Sequence, residues 1–307
     1  MKRVLVTGAT GFIGRNALTP LLARGFEVHA AYIGTPLEID VVAWHECNLL
    51  NSGAARSLVD AVRPTHLLHF AWNVEHGKYW TSPANLEWLE ASLRLIRFFG
   101  EMGGKRFVGA GTCAEYEWGT PSCVEGQTPL RPATLYGASK NALREVAESF
   151  AATDGFGFAW GRVFLTYGPH EDRKRLVPSV ITSLLDGEIA QCSPGEHVRD
   201  FLYVEDVADG FAALTDSEVE GALNIASGEP RRVKDVAQDL ASFTDHPDLL
   251  RLGALPERRG DPPVLLADTK RLRKDLGWKP KFTLRRGLEE TVAWWRSQKA
   301  TEAHARV

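Results

Sequence analysis

Apolar residues recur along this chain with two spacings, and the two alternate. Val4–Thr7 is a short continuous apolar run of strand length. After it, Ile13, Ala17, Leu18, Leu21 and Leu22 fall on one helical face, and Gly25 ends the run, so the pattern predicts a helix over Gly14–Arg24. Glu27–Ile33 reads as a second strand. A helix over Ser52–Val62, stopped before Pro64, leads to a buried strand at His66–Ala71. The helical pattern at Ala84–Phe99 precedes a strand at Arg106–Ala110, and a helix at Tyr136–Ala152 precedes a strand at Gly157–Val163. Strands separated by helices predict right-handed βαβ units and a parallel sheet, so the fold class is α/β and doubly wound.

From about Thr166 the rhythm changes. Pro169, Pro178, Pro194 and Gly195 break the chain into shorter pieces. Asp200–Val204 and Ala222–Ala226 read as short strands, Leu249–Val264 is loop-rich, and Arg286–Gln298 is a final amphipathic helix. The expected division is a sheet domain over 1–165, to which segments near 200–226 return. A smaller C-terminal lobe over 166–298 lies across the carboxyl ends of the strands, and a frayed tail covers 299–307.

Composition narrows the class without naming it. The 307 residues are 44% apolar and 24% charged, ordinary for a globular protein able to bury a core. A formal charge of −3 gives no basis for a nucleic-acid or membrane partner. No apolar run approaches the roughly 20 residues of a membrane helix. Met1-Lys2-Arg3 leads straight into a strand without a signal-peptide pattern. Cys47, Cys113, Cys123 and Cys192 are far apart and form no C-x-x-C, which speaks against structural zinc and gives no disulfide framework. A cytoplasmic protein is the expectation.

The first strand–helix junction carries chemistry. Gly8, Thr10, Gly11, Phe12, Ile13 and Gly14 form a G-x-x-G-x-x-G turn between a buried strand and an amphipathic helix. Missing Cβ atoms let the backbone approach a diphosphate, and the helix start offers free N–H groups and a positive dipole end. This is the Rossmann context for NAD or NADP. An acid at the end of the second strand selects NAD, but Ala30-Ala31-Tyr32-Ile33 provides none before Glu38. The 2′-phosphate reader on offer is Arg15, just past the third glycine, and the balance falls slightly to NADP. Asn48 and Leu49 stand where an adenine contact is expected, or form an ordinary loop.

Tyr136 and Lys140 are i and i+4 on one helix, hence on one face. A phenol ordinarily ionises near about 10, and a neighbouring ammonium together with a positive nicotinamide ring is expected to lower that value. Such a tyrosine exchanges a proton with a hydroxyl while hydride moves at the same carbon. Gly109-Ala110-Gly111-Thr112 closes the strand upstream, which brings the Thr112 hydroxyl to the carboxyl edge of the sheet, where open α/β folds bind ligands.

With these residues in view, the chain resembles an extended short-chain dehydrogenase/reductase of the nucleotide-sugar epimerase, dehydratase and 4-ketoreductase group. The likeness spans nearly the whole chain. It rests on Thr7–Gly14, His69-Phe70-Ala71, Asn85, Thr112, Tyr136 with Lys140, Arg162 with Tyr167-Gly168-Pro169, Arg199–Val207 and Leu276-Gly277-Trp278. The resemblance implies that Lys140 also holds the nicotinamide ribose, and that Asn85 belongs to the helix behind the site. It adds Phe70, Ala71, Trp72 and Arg162 to the cofactor contacts. It further implies a nucleoside-diphosphate sugar as substrate, with Arg199 and Arg258 on the diphosphate and Leu176-Val177 along the base. Ala84–Phe99 and Tyr136–Ala152 are the helices through which such chains dimerise.

The residues just after Thr112 discriminate among reaction types. By the resemblance, sugar dehydratases carry an acid directly after this threonine. Here Cys113 and Ala114 occupy those places, and Glu115 comes late and is expected to point elsewhere. Cys113 is a second acid touching substrate or a small core residue. Two reactions remain, reduction of a 4-keto sugar nucleotide with NADPH and NAD-dependent 4-epimerisation. The missing acid after Tyr32 favours the reductase. Trp72, Trp80 and Trp118 offer faces suited to a deoxysugar, or else pack the lobe interface. A cofactor-sensing protein without chemistry is disfavoured because Tyr136 and Lys140 are both present.

Overall fold

The computed structural model describes residues 2–257 and 260–304. The chain begins β1 (Arg3–Thr7), α1 (Gly14–Ala23), β2 (Glu27–Tyr32), β3 (Ala43–Glu46), α2 (Ser52–Val62), β4 (His66–His69), α3 (Ala84–Glu101) and β5 (Arg106–Thr112). It continues α4 (Leu135–Asp154), β6 (Gly157–Val163), β7 (Leu165–Tyr167), α5 (Leu176–Leu185), β8 (Ala190–Gln191), β9 (Val198–Tyr203), α6 (Val204–Thr215) and β10 (Gly221–Ile225). Last come β11 (Pro230–Arg232), α7 (Val233–Ser242), β12 (Leu250–Arg251), β13 (Val264–Leu265), α8 (Lys270–Lys274) and α9 (Leu284–His304).

Seven strands form the main sheet in the order β10-β6-β5-β4-β1-β2-β3, parallel throughout. The chain steps outward from β1 to β3, then returns to β4 and steps the other way. That reversal between β1 and β4 opens a crevice at their carboxyl ends, the usual ligand position of such sheets. Both faces are covered. Leu18 and Leu21 of α1 and Phe211 of α6 fill one core, and Leu95, Phe99 and Leu143 of α3 and α4 fill the other. A third core joins Tyr167, Phe201 and Tyr203 to α5, α7 and α9.

Local chemistry sets the helix ends. Asn51 caps α2 by accepting from Ala54 N at 3.0 Å. Thr134 caps α4 through Gly137 N at 3.2 Å, and Gly155 ends that helix at φ +80°.

Helices α5, α6 and α7 are not foretold by the apolar spacing. The reason is plainest in α6, which buries ten of its twelve residues, charged Asp206 and Asp209 among them. A helix covered on nearly all sides shows no stripe. Of the two late strands, Ala222–Ala226 corresponds to β10 at the edge of the main sheet. Asp200–Val204 corresponds to β9, the centre of a second sheet with β11, β13 and β7. Residues from Lys299, expected to fray, instead continue α9 to His304. Lys299 pairs with Asp186 at 2.8 Å and Arg173 pairs with Glu302. Residues 305–307 lie outside the described residues.

The two sheets are tied at Asp200, a fully buried carboxylate. It accepts from Ser227 N and Oγ, Gly228 N and Ala267 N at 2.7–3.3 Å. Among the described residues no helix is long and apolar enough to cross a membrane, and no group of three or more His, Cys, Asp or Glu side chains is placed to hold a metal.

The glycine turn has no steric slack. A Cβ at Gly14 would lie 2.1 Å from Gly8 O. Gly14→Ala is expected to destabilise the fold by about 1–3 kcal/mol through overpacking. Thermal unfolding should show it as a fall of roughly 2–4 °C per kcal/mol.

Candidate active site

The turn lies in the crevice at the carboxyl end of β1. Gly8 adopts φ +67°, and a Cβ there would come within 2.8 Å of Ala71 N, so the turn and the end of β4 abut. Gly11 N donates to Gly8 O at 3.0 Å, and Arg15 N to Gly11 O at 3.1 Å. No side chain caps the first turn of α1, so its positive end carries no protein anion of its own. Arg15 is half-buried, and among the described residues its guanidinium has no hydrogen-bond or ion-pair partner. A tight glycine turn at an uncapped helix start, beside an unneutralised cation, fits the diphosphate or phosphate of a dinucleotide.

A buried hydrogen-bond relay braces this junction. Ser92 Oγ donates to Trp88 O at 2.6 Å, so it accepts from His69 Nε2 at 2.9 Å. His69 Nδ1 therefore accepts from Thr7 Oγ1 at 2.7 Å, and Thr7 Oγ1 accepts from Ala71 N at 3.4 Å. Burial and the charge of Lys140 lower the imidazole to about 3, so His69 stays neutral.

Thr112, Tyr136 and Lys140 come together at the carboxyl end of β5. The approach depends on Gly137, where a Cβ would stand 2.3 Å from Ala114 O. Helix α4 thus lies directly on the turn that follows Thr112. Tyr136 N donates to Trp80 O at 3.1 Å, and its phenol shares a hydrogen bond with the Thr112 side chain. Lys140 Nζ, however, donates to Ala110 O at 3.0 Å and lies 4.0 Å from the centre of the Trp72 ring. It is not directed at the phenol. Burial pushes the Tyr136 phenol up, opposed by the Thr112 hydrogen bond. The lowering expected from the ammonium is therefore not the governing effect. Burial also brings Lys140 down to about 7, opposed by the charge of Glu115.

Glu115 is a residue the sequence reading undervalued. It is fully buried, and its Oε1 accepts from Thr112 N at 2.8 Å and Trp160 Nε1 at 2.9 Å. Its Oε2 accepts from Arg162 Nε at 2.7 Å. Arg162 also donates to the Tyr116 hydroxyl at 3.1 Å, which donates to Asn224 Oδ1 at 2.8 Å. Arg162, expected at the cofactor, is thus turned inward by the only kind of partner that offsets burial of its charge. The signal was legible: Thr112-Cys113-Ala114-Glu115 has the T-x-x-E spacing of a capping box, and both of its bonds are present.

Other expected contacts divide. Phe70 and Ala71 border the glycine turn. Tyr32 ends β2 with its ring edge-on to Trp44. Asn48 turns its carboxamide back to Leu50 N at 3.0 Å and Leu49 is core, which favours the ordinary-loop reading. Asn85 donates to Tyr79 O and Ser82 O and accepts from Trp72 Nε1, so it acts on the site through Trp72. Cys113 is buried, and its thiol is pushed up to about 12 by burial, which removes it as an acid. Val177 is core and Leu176 partly buried beside it. Arg199 is already paired with Asp261 at 3.1 Å. Arg258 lies outside the described residues. An aromatic wall adjoins Tyr136. Tyr79 meets its ring edge-on at 4.9 Å and Trp80 at 5.8 Å, and Trp118 stands against Trp80 at 6.2 Å.

A family model described as the NAD dependent epimerase/dehydratase family matches residues 4–226. The chain belongs to that family and is an extended short-chain dehydrogenase/reductase. UDP-glucose 4-epimerase of Rhizobium meliloti (strain 1021) is 27% identical over 325 residues, which cover 95% of this chain and 96% of the relative. UDP-glucuronic acid decarboxylase 1 of Xenopus tropicalis is 25% identical over 321 residues, 99% of this chain and 74% of the relative. The solved UDP-glucose 4-epimerase of Thermus thermophilus in complex with NAD has a TM-score of 0.85 at 26% identity, covering 96% of this chain and 99% of that one.

Two measurements bear on this site. Arg162→Leu leaves the Glu115 charge buried without its cation, and urea unfolding should register a loss of about 3–5 kcal/mol. Glu171, between β7 and α5, is buried, its Oε2 has no hydrogen-bond partner among the described residues, and burial raises its carboxyl from 4.5 to about 8. A carboxyl whose folded value is raised stabilises the fold below the unfolded value, and that contribution is lost as pH climbs through the folded one. Stability should therefore fall between pH 4.5 and about 8, and Glu171→Gln should flatten this slope in denaturant titrations across that range.

Proposed function

We propose that this chain reduces a 4-keto sugar carried on a nucleoside diphosphate, with NADPH as the expected hydride source. The observation that carries the reading is the meeting of Thr112 and Tyr136, with Lys140 one helical turn further along α4, beside a glycine turn shaped for a dinucleotide. When bound, the dinucleotide supplies hydride exchange at the sugar carbon. The protein's part is proton delivery and alignment. Thr112 orients the C4 oxygen towards the phenol. Tyr136 Oη gives it a proton, a role that suits a phenol kept protonated by burial. Lys140 offers N–H donors to the nicotinamide ribose.

Three further features support the reductase. Tyr32 ends β2 without an acid, and Arg15 waits unpaired beside the glycine turn, as a 2′-phosphate reader would. Glu115 is held by three donors and leaves no acid free for eliminating water. Trp72, Trp80 and Trp118 give the sugar an apolar wall that suits a deoxysugar. Arg199 takes the substrate diphosphate by exchanging its contact with Asp261, and Arg258 is the second candidate. Exposed Leu86 on α3 and Val146 on α4 support pairing of two copies through those helices.

The second reading is an NAD-dependent 4-epimerase, favoured by the Rhizobium and Thermus relatives, both UDP-glucose 4-epimerases. Denaturing the purified protein and identifying the released dinucleotide separates the two. NADP, or an empty protein that oxidises NADPH with a 4-keto sugar nucleotide, supports the reductase. Tightly held NAD with interconversion of C4 epimers overturns it. In either case Tyr136→Phe should cut turnover by about 100-fold or more while leaving dinucleotide affinity nearly unchanged. Steady-state kinetics and a cofactor titration check this, and undiminished turnover sinks the assignment.

A further inference from the structure

Trp72 touches the site at its most sensitive atom. Its ring centre lies 4.0 Å from Lys140 Nζ, and Nζ has the Ala110 carbonyl at 3.0 Å as its hydrogen-bond acceptor. The indole is not loosely placed. Its Nε1 donates to Asn85 Oδ1 at 2.9 Å. Asn85 is 2% exposed and is itself fixed, because its amide donates to Tyr79 O at 2.7 Å and Ser82 O at 2.8 Å. With both amide protons on carbonyls, only the oxygen is left to face the indole.

The charges around Lys140 are few. Glu115, on the turn after β5, favours the ammonium but is already committed to Arg162. His69 of β4 is neutral and fastened between Thr7 and Ser92. Tyr136 shares its own helix and bonds towards Thr112. An ammonium stripped of water in these surroundings needs a further source of negative potential, and the face of an indole supplies one.

We propose that Trp72 is a positioning residue: its indole, locked by Asn85, covers the Lys140 ammonium, keeps water from it and holds it in the charged, donating form. The proposal rests on the reading of Lys140 as the site lysine. Trp72→Leu keeps an apolar, though smaller, side chain beside Nζ and removes both the π face and the tie to Asn85. Trp72→Phe keeps a weaker face without the tie to Asn85. The full-length protein, labelled with 13C at lysine Cε, reports the ionisation of Lys140 directly by NMR titration, with the resonance assigned through Lys140→Arg. The midpoint should drop by about half a pH unit to one and a half in Trp72→Leu, with Trp72→Phe in between. A limb of the kcat/KM profile that follows Lys140 should move with it. A midpoint that stays or rises in Trp72→Leu overturns the proposal. If that variant does not fold, an unshifted midpoint in Trp72→Phe overturns it equally. A dropped midpoint in a protein that turns over no nucleotide sugar upholds the role of Trp72 and removes the functional reading instead.

Discussion

A cation with almost no water is the constraint around which this site is built. Lys140 is 3% exposed, its ammonium set against the carboxyl end of β5. Such a group is tolerated where acceptors and potential are fixed beforehand. Ala110 O, the Trp72 ring and the field of Glu115 meet that need from three different elements. Each is braced in turn: the carbonyl by β5, the ring by Asn85, and the carboxylate by Trp160 and Arg162. The phenol of Tyr136 then takes its partner from Thr112 rather than from the lysine. The two helical neighbours thus work on different atoms, although their spacing suggests a single coupled pair.

The parts visible in the sequence were those with a period or a backbone rule. Alternating apolar spacings gave the strands and helices of the doubly wound sheet, and the glycine turn gave the crevice. Thr112, Tyr136 and Lys140 were legible because strand end and helix spacing bring them to one edge. What escaped was the tertiary layer. Arg162 has the same guanidinium whether it meets a cofactor or Glu115, and only the fold shows the buried carboxylate beneath it. Helix α6 escaped because burial on nearly every side erases amphipathic contrast. Trp72 and Asn85 were legible as neighbours of the site, but their mutual bond joins residues from a loop and a helix and leaves no trace in spacing.

Electrostatics differ across the crevice. On the glycine side the protein offers an uncapped helix start and Arg15, a positive end that lacks an anion among the described residues. On β9, by contrast, Arg199 is held by Asp261, a group on the loop-rich segment before β13. The first arrangement leaves a cation open to an anionic ligand. The second already has its carboxylate in place.

Asp200 has a consequence for how anything enters. Its four accepted hydrogen bonds rivet β9 to the chain just beyond β10 and just beyond β13. Swinging the lobe open about this seam would break several charge-assisted bonds at once, in a place with no water to replace them. The seam behaves as a weld rather than a hinge. Any rearrangement around the buried lysine therefore falls to lighter parts than this seam, and the exposed residues nearest it in the chain are Asn73–Glu75 and Gly77-Lys78, between Trp72 and Tyr79.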